Sequence, residues 1–343
     1  MKQTVAVLGT LDTKGREHAY IAECIREAGL ETMLVDVGTG GEAQVVPDVG
    51  REQILAQLDD PRDRGSSIAE MAEAVPAFVA ALAREGKIHG IISLGGGGGT
   101  SIGTAAMRAL PVGFPKVMVS TLASGQTAHY VGVKDIVMMP SVVDVAGLNR
   151  VSRLLFRQAA AAVAAMVKAT PLGDDGDEGR VTLAASMFGN TTRCVEMVKE
   201  TLENAGYEVL VFHATGTGGR TMESLLEAGL VHGVLDITTT EWADELVGGV
   251  LSAGPSRLEA AGKAGVPAIV VPGCLDMVNF GEPSSIPERF KDRLFYLHNP
   301  QVTLMRTSVD ECRELGRIMA EKVNAYTGPA AVLVPTKAIS IIS

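Results

Sequence analysis

Short apolar runs alternate with longer amphipathic stretches along the chain, and each apolar run ends in a polar or glycine-rich turn. Residues 5–8 read as a strand, GTLDTKG follows, and a helix is expected over 17–28, stopped by Gly29. A second strand at 32–37 runs into GTGG at 38–41. The same order returns later. A strand at 181–185 leads into SMFGNTTR, a helix runs to Ala205 and stops at Gly206, and a strand at 208–213 runs into TGTGG, ending at Gly219. The helix-stop glycines lie 177 positions apart (206 minus 29) and the GTGG runs 178 apart (216 minus 38). Further on, IHGIISLGG at 88–96 echoes VHGVLDITT at 231–239. Likewise PKVMVSTLASG at 115–125 echoes PAIVVPGCLDM at 267–277.

Four shared motifs in one order predict an internal duplication. Strands alternating with helices predict an α/β fold of two Rossmann-like subdomains, each with a parallel sheet and right-handed crossovers. The first copy carries an insertion over 42–86, with a helix ending near Leu58, the turn DDPRDRG and a helix over 66–84. The acidic, glycine-rich stretch TPLGDDGDEG at 170–179 reads as the linker, giving domains at 1–170 and 180–343. Before it, LLFRQAAAAVAAMVKA reads as a helix apolar on most faces, hence buried between domains or between subunits.

Composition narrows the function. Only 4% of the 343 residues are aromatic while 46% are hydrophobic, which suits aliphatic strands under alanine- and leucine-rich helices. The formal charge of -10 makes nucleic acid a poor partner. No apolar run approaches membrane-spanning length, the start MKQTVAVLGT lacks the features of a signal peptide, and the four cysteines form no CxxC pair. A cytoplasmic protein with free thiols is expected.

The candidate chemistry gathers at strand ends. The strand at 91–94 runs into Gly95, Gly96, Gly97, Gly98 and Gly99, and Thr100 and Ser101 open a helix. Such a turn presents backbone N–H groups and a helix N-terminus to an anion, although no Walker or dinucleotide fingerprint is present. The next strand, at 117–119, ends in Ser120 and Thr121, followed by Ser124 and Gly125. In a parallel sheet these hydroxyls lie on the same edge as the glycines. Asp12 and Lys14 follow the first strand, again at that edge; the lysine would offset phosphate charge and the aspartate would hold Mg2+. In the second half, His213, Glu241 and Asp276 stand at successive strand ends. His213 with Glu241 or Asp276 would make an acid–base pair, though the acids near Trp242 also suit a helix cap. YLHNPQVTLMRT adds His298, Asn299 and Arg306 to the polar set, and no zinc pattern occurs.

The motifs GTLDTKG, DRG at 63–65, GGGGGT, AMRALPVGFPKVMVSTLASG, YVGVKDIVMMPSVVDVAGLN, FHATGTGGRTME, DITTTEWADE and PGCLDMVNFG together resemble the Tm-1-like ATP-binding family. That family is named for the N-terminal domain of a tomato protein conferring resistance to tomato mosaic virus. The resemblance covers nearly the whole chain. It implies two Rossmann-like subdomains, ATP with Mg2+ as ligand, and a homodimer, with the 95–100 turn binding phosphates beside 120–125. Three departures stand out. Gly97 replaces the serine of GGSGGT, Gln126 replaces the acid of ASGD, and family members continue beyond the strand at 331–334 where this chain closes with PTKAISIIS, so a closing element of the second half is expected to be missing. The function expected is ATP-dependent action on a small acidic metabolite in a cleft between the subdomains. The alternatives are a non-catalytic nucleotide-binding regulatory or interaction protein, and a nucleotide-independent lyase or hydrolase.

Overall fold

The computed structural model describes residues 3–56, 68–170, 179–340 and 342–343. The DDPRDRG turn, the first two residues of the helix expected at 66 and most of the 170–179 linker lie outside the described residues. The chain forms two compact units, Met1–Asp175 and Gly176–Ser343.

The first unit runs β1 (Thr4–Gly9), α1 (Leu11–Glu27), β2 (Glu31–Asp36), α2 (Arg51–Leu55), α3 (Ile68–Arg84), β3 (Gly90–Gly95), α4 (Gly97–Arg108), β4 (Lys116–Ser120), α5 (Ala128–Val131), β5 (Val137–Pro140) and α6 (Arg150–Ala169). Its five strands form one parallel sheet, A, in the order β2-β1-β3-β4-β5. Strands of a parallel sheet are buried on both faces, which is why they read as nearly continuous apolar runs. One face, with Val5, Val7, Ile92 and Val117, packs under α1 and α6. The other, with Ala6, Leu8, Ile91 and Met118, packs under α2, α3 and α4.

The alanine-rich helix α6 is therefore part of the first unit's own core. Phe156, Ala159, Ala160, Val163 and Val167 form a stripe buried against sheet A. Exposed alanines at 161, 162 and 165 made the helix look apolar all round. Asn149 caps it, its side chain accepting from the N–H groups of Val151 and Ser152 at 2.9 Å each.

The second unit runs β6 (Thr182–Met187), α7 (Thr192–Asn204), β7 (Glu208–His213), α8 (Thr217–Glu227), β8 (Gly233–Thr238), α9 (Glu241–Val247), α10 (Ala260–Ala264), β9 (Ala268–Gly273), β10 (Met277–Phe280), β11 (Phe295–Asn299), β12 (Val302–Arg306), α11 (Val309–Asn324) and β13 (Ala330–Val332). Sheet B is parallel, in the order β13-β9-β8-β6-β7. Position for position this is the order of sheet A: second, first, third, fourth, fifth. The helix-stop glycines correspond as well, with Gly29 at φ +88 and Gly206 at φ +92, the left-handed geometry that lets a helix end and turn. The second unit adds an antiparallel sheet, β10-β12-β11, between its fourth and fifth parallel strands. The segment YLHNPQVTLMRT is the hairpin of this sheet, so His298 and Asn299 stand exposed at a turn rather than in a cleft. Among the described residues no helix is long and apolar enough to cross a membrane.

Candidate functional site

In the first unit the loops after β1, β2 and β3 meet at the carboxyl edge of sheet A. In the strand order 2-1-3-4-5, β1 and β3 are the neighbours at which successive connections leave to opposite sides, and ligands of such sheets bind in the crevice there. Two buried aspartate contacts fix the first two loops. Asp36 ends β2, and its Oδ1 accepts from the N–H of Leu11 (3.1 Å) and of Gly38 (2.9 Å). Asp12 Oδ2 accepts from the Gly40 N–H at 2.8 Å, while its Oδ1 is buried without a partner. A Cβ on Gly38 or Gly40 would lie within 3 Å of the Asp12 carboxylate, which would have to move aside. The Arg51 guanidinium clamps the turn from outside, donating to the carbonyls of Gly38, Gly40 and Gly41 at 3.0–3.3 Å.

The glycine run continues directly into helix. Gly95 closes β3, Gly96 is the N-cap, and α4 begins at Gly97, three residues before the expected Thr100. Glycine is a poor helix former, but two positions of this turn are crowded. A Cβ at Gly95 would sit 3.0 Å from the Gly99 Cα, and one at Gly98 would sit 2.7 Å from Ile68. Gly97 differs, because a Cβ there meets nothing within 4 Å. The first-turn N–H groups of a helix have no acceptor within it, and the helix dipole adds partial positive charge at this end. Gly96–Gly99 line a pocket of about 250 Å³ together with Thr10, Asp12, Thr13, Lys14, Thr39 and Ile68.

The sequence-predicted residues divide around this pocket. Asp12, Lys14 and Gly96, Gly97, Gly98 and Gly99 line it, with Gly95 supporting it from the strand end. Lys14 stands at a kink in α1 and donates to the Val145 carbonyl. Thr100 and Ser120 are fully buried and hydrogen-bonded to each other, Oγ1 to Oγ at 2.6 Å, so their hydroxyls join β3–α4 to β4 instead of facing a ligand. The Thr121 N–H donates to the Gly95 carbonyl (3.2 Å), and Ser124 and Gly125 lie exposed, outside the pocket lining.

One residue beneath the pocket gave no sequence signal. His18 is fully buried, with Nδ1 2.7 Å from the Lys14 carbonyl, and burial pushes its imidazole down to about 4. Gly9 makes space for it, since a Cβ there would fall 1.9 Å from His18 Nε2.

In the second unit the three expected proton carriers have separate partners. His213 is exposed and stacks near Phe188, with no hydrogen bond to Glu241 or Asp276. The expected pairing is thus not formed. Asp276 is buried, and its Oδ2 accepts from Arg306 (2.7 Å), Ser340 (2.7 Å) and Ser343 (2.6 Å). Glu241 has no free oxygen. Its Oε1 accepts from the N–H groups of Gly216 (2.7 Å) and Gly219 (3.1 Å), and its Oε2 accepts from Arg257 Nε (2.6 Å). The TGTGG turn at the head of α8 is therefore filled by a carboxylate of the protein itself. A side chain at 219 would displace that carboxylate, because a Cβ there lies 2.1 Å from Glu241 Oε2.

Arg257 is the centre of this arrangement and carried no sequence signal. It is buried and also binds Asp236 (Nη1–Oδ2 2.5 Å, Nη2–Oδ1 2.6 Å) and Glu223 (Nη1–Oε1 3.1 Å). Burial opposes its charge, but Asp236, Glu241 and Glu223 hold its pKa well above the usual value. Burial raises Glu223, against the pull of Arg257. Nearby, Asp244 has no cation among its partners. Burial pushes it up to about 7, against hydrogen bonds from the Asn279 and Leu251 N–H groups and the Asn279 amide.

Comparison with known proteins bears on the whole chain. Residues 3–171 match the N-terminal domain, and residues 180–343 the C-terminal domain, of the uncharacterised protein family UPF0261. A UPF0261 protein of Clostridium tetani is 50% identical over all of this chain and 86% of its own length. The ToMV resistance protein Tm-1(GCR237) of Solanum lycopersicum is 40% identical over 98% of this chain, which spans 48% of that protein. Among solved structures, MurG of Acinetobacter baumannii covers 98% of this chain at 11% identity, with 87% of its own length aligned and a TM-score of 0.26, too distant to bear on function.

Proposed function

The chain belongs to the UPF0261 family, and from that footing we propose that it binds ATP by its phosphates at the head of α4 and uses it on a small acidic metabolite. One observation carries the reading. The bare first turn of α4 and the loop after β1 line a single pocket at the β1–β3 crevice, and Gly97 leaves its mouth open. Lys14 lies within the lining to offset phosphate charge. Mg2+ fits the donor set, because Asp12 Oδ1 is a buried carboxylate oxygen lacking a partner. Mg2+ characteristically takes one or two carboxylates and completes its shell with phosphates and water. Bound there, the ion would neutralise phosphate charge.

A second reading rests on size. A pocket of about 250 Å³ takes a phosphate or small carboxylate whole but only the phosphate tail of a nucleotide. That favours a nucleotide-independent lyase or hydrolase holding its substrate by the same turn.

A thermal-denaturation titration separates the readings. ATP–Mg2+ at a hundred times its dissociation constant is expected to stabilise the wild type by about 2.7 kcal/mol. Gly97→Asp is expected to fold normally, since its side chain enters open space, and to lose that stabilisation through charge repulsion. No shift in a folded wild type would overturn the ATP reading. An equal shift with inorganic phosphate alone would transfer the assignment to the second one.

A further inference from the structure

Four residues of the pocket lining, Thr10, Asp12, Thr13 and Lys14, belong to one short turn at the head of α1. The turn closes on the Thr10 carbonyl, which accepts from the N–H groups of Thr13 (3.2 Å) and Lys14 (2.8 Å). At Lys14 the backbone leaves helical geometry, with φ -130 and ψ 27, and the helix resumes beyond it. The lining turn and the body of α1 therefore lie on either side of a kink, and whatever fixes the kink fixes this wall of the pocket.

A helix kinks where a side chain enters the ladder of backbone hydrogen bonds, and here that side chain is His18. It stands four residues after Lys14, is fully buried, and holds Nδ1 2.7 Å from the Lys14 carbonyl. A carbonyl only accepts, so Nδ1 carries the proton and the imidazole is the donor. The end of β1 holds the ring from its other side. Gly9 leaves room for it there, since a Cβ would fall 1.9 Å from Nε2 and 2.1 Å from Cε1. The start of the turn is secured at Leu11, whose N–H donates to Asp36 Oδ1 (3.1 Å) and whose carbonyl accepts from the Gln44 N–H (2.8 Å). His18 secures its end. The Lys14 ammonium gives one donor to the Val145 carbonyl and, with three in all, keeps two for an anion.

We infer that His18 is a positioning residue for the anion pocket, its Nδ1–H holding the kink that sets Asp12, Thr13 and Lys14 against the glycine turn. The inference rests on the reading of that pocket as an anion site, and it gives His18 no contact with the ligand.

Two substitutions separate the donor from the volume. His18→Asn keeps an N–H near the place of Nδ1 and leaves part of the ring's space empty. His18→Leu fills more of that space and removes the donor. Calorimetric titration with inorganic phosphate, and separately with ATP–Mg2+, should give affinities that follow the donor. His18→Asn should bind within threefold of wild type and His18→Leu at least tenfold more weakly. Thermal unfolding without ligand is run in parallel, because a residue that merely fills the core would make affinity follow stability instead. Equal affinities in the two variants, or a weaker His18→Asn, would overturn the proposal. Should His18→Leu fail to fold, His18→Met, which also fills the space without a donor, takes its place. A wild type that binds neither probe would sink the anion reading by itself, and residue-resolved hydrogen exchange without ligand then decides on His18. The Lys14 and Gly40 amides, bonded to the Thr10 carbonyl and to Asp12, should exchange at least tenfold faster in His18→Leu and at the wild-type rate in His18→Asn. Unchanged exchange in His18→Leu would overturn the role assigned to the imidazole.

Discussion

Replacing Arg257 with methionine should destabilise the second unit by about 3–5 kcal/mol, a large part of the ~5–15 kcal/mol that holds a typical domain together. The size follows from what is left behind. Asp236, Glu241 and Glu223 converge on one guanidinium in a site without water access, and methionine fills much of the space but answers none of the charge. The single tryptophan is a suitable reporter, because Trp242 donates its indole N–H to the Arg257 carbonyl at 3.1 Å. Urea unfolding followed by Trp242 fluorescence should show the midpoint falling. Adding Asp236→Asn to Arg257→Met should cost less than the two single effects summed, since it removes one stranded charge. A loss below about 1 kcal/mol in the single variant would show that the carboxylates relax or protonate with ease, contrary to this account.

The two units should respond to acid in opposite directions. His18 has a folded pKa near 4 against 6.5 unperturbed, so below pH 6.5 the unfolded chain binds a proton that the native first unit refuses. The stability it contributes is complete above pH 6.5 and is lost as pH falls towards 4. Asp244 is the reverse case. Its folded pKa is near 7 against 3.8, so the native second unit holds a proton that the unfolded chain releases. That contribution is complete below pH 3.8 and is lost as pH rises through 7. Between pH 4 and 6.5 each effect amounts to about 3 kcal/mol. Hydrogen exchange resolved by peptide should show residues 3–170 gaining protection with rising pH while residues 179–340 lose it. His18→Gln should flatten the first trend and Asp244→Asn the second. Parallel trends in both units would contradict the burial assigned to these two side chains.

Periodicity and repeats exposed the parallel strands because burial on both faces leaves an unbroken apolar signature, as in residues 5–8 and 91–94. The duplicated strand order followed from matching offsets between glycine turns. The pocket at Gly96–Gly99 was visible for a similar reason, since five consecutive glycines after a strand mark a turn where the backbone itself is presented. Side-chain partnerships were hidden. Asp236, Glu241, Glu223 and Arg257 come from β8, α9, α8 and the segment before α10, and no spacing links them. Thr100 and Ser120 suited an anion site by type and location, but two hydroxyls on neighbouring connections satisfied each other. The hairpin at 295–306 was missed because neither strand alternates: Tyr296, Leu297, His298 and Asn299 are all exposed, while Thr303, Leu304 and Met305 are all buried.

The carboxylate seated in the second glycine turn has a consequence for counting. By the duplication the turn at the head of α8 corresponds to GTGG at 38–41, whose Thr39 lines the pocket, yet Glu241 already occupies it, and the counterpart of Gly95–Gly97 after β8 is the buried run Thr238, Thr239 and Thr240. Calorimetric titration with ATP–Mg2+ should therefore saturate at one equivalent per chain, with no second, weaker phase. The repeat would then have kept its shape while its two halves diverged in trade, one open to exchange with the surroundings and the other permanently closed by its own residue.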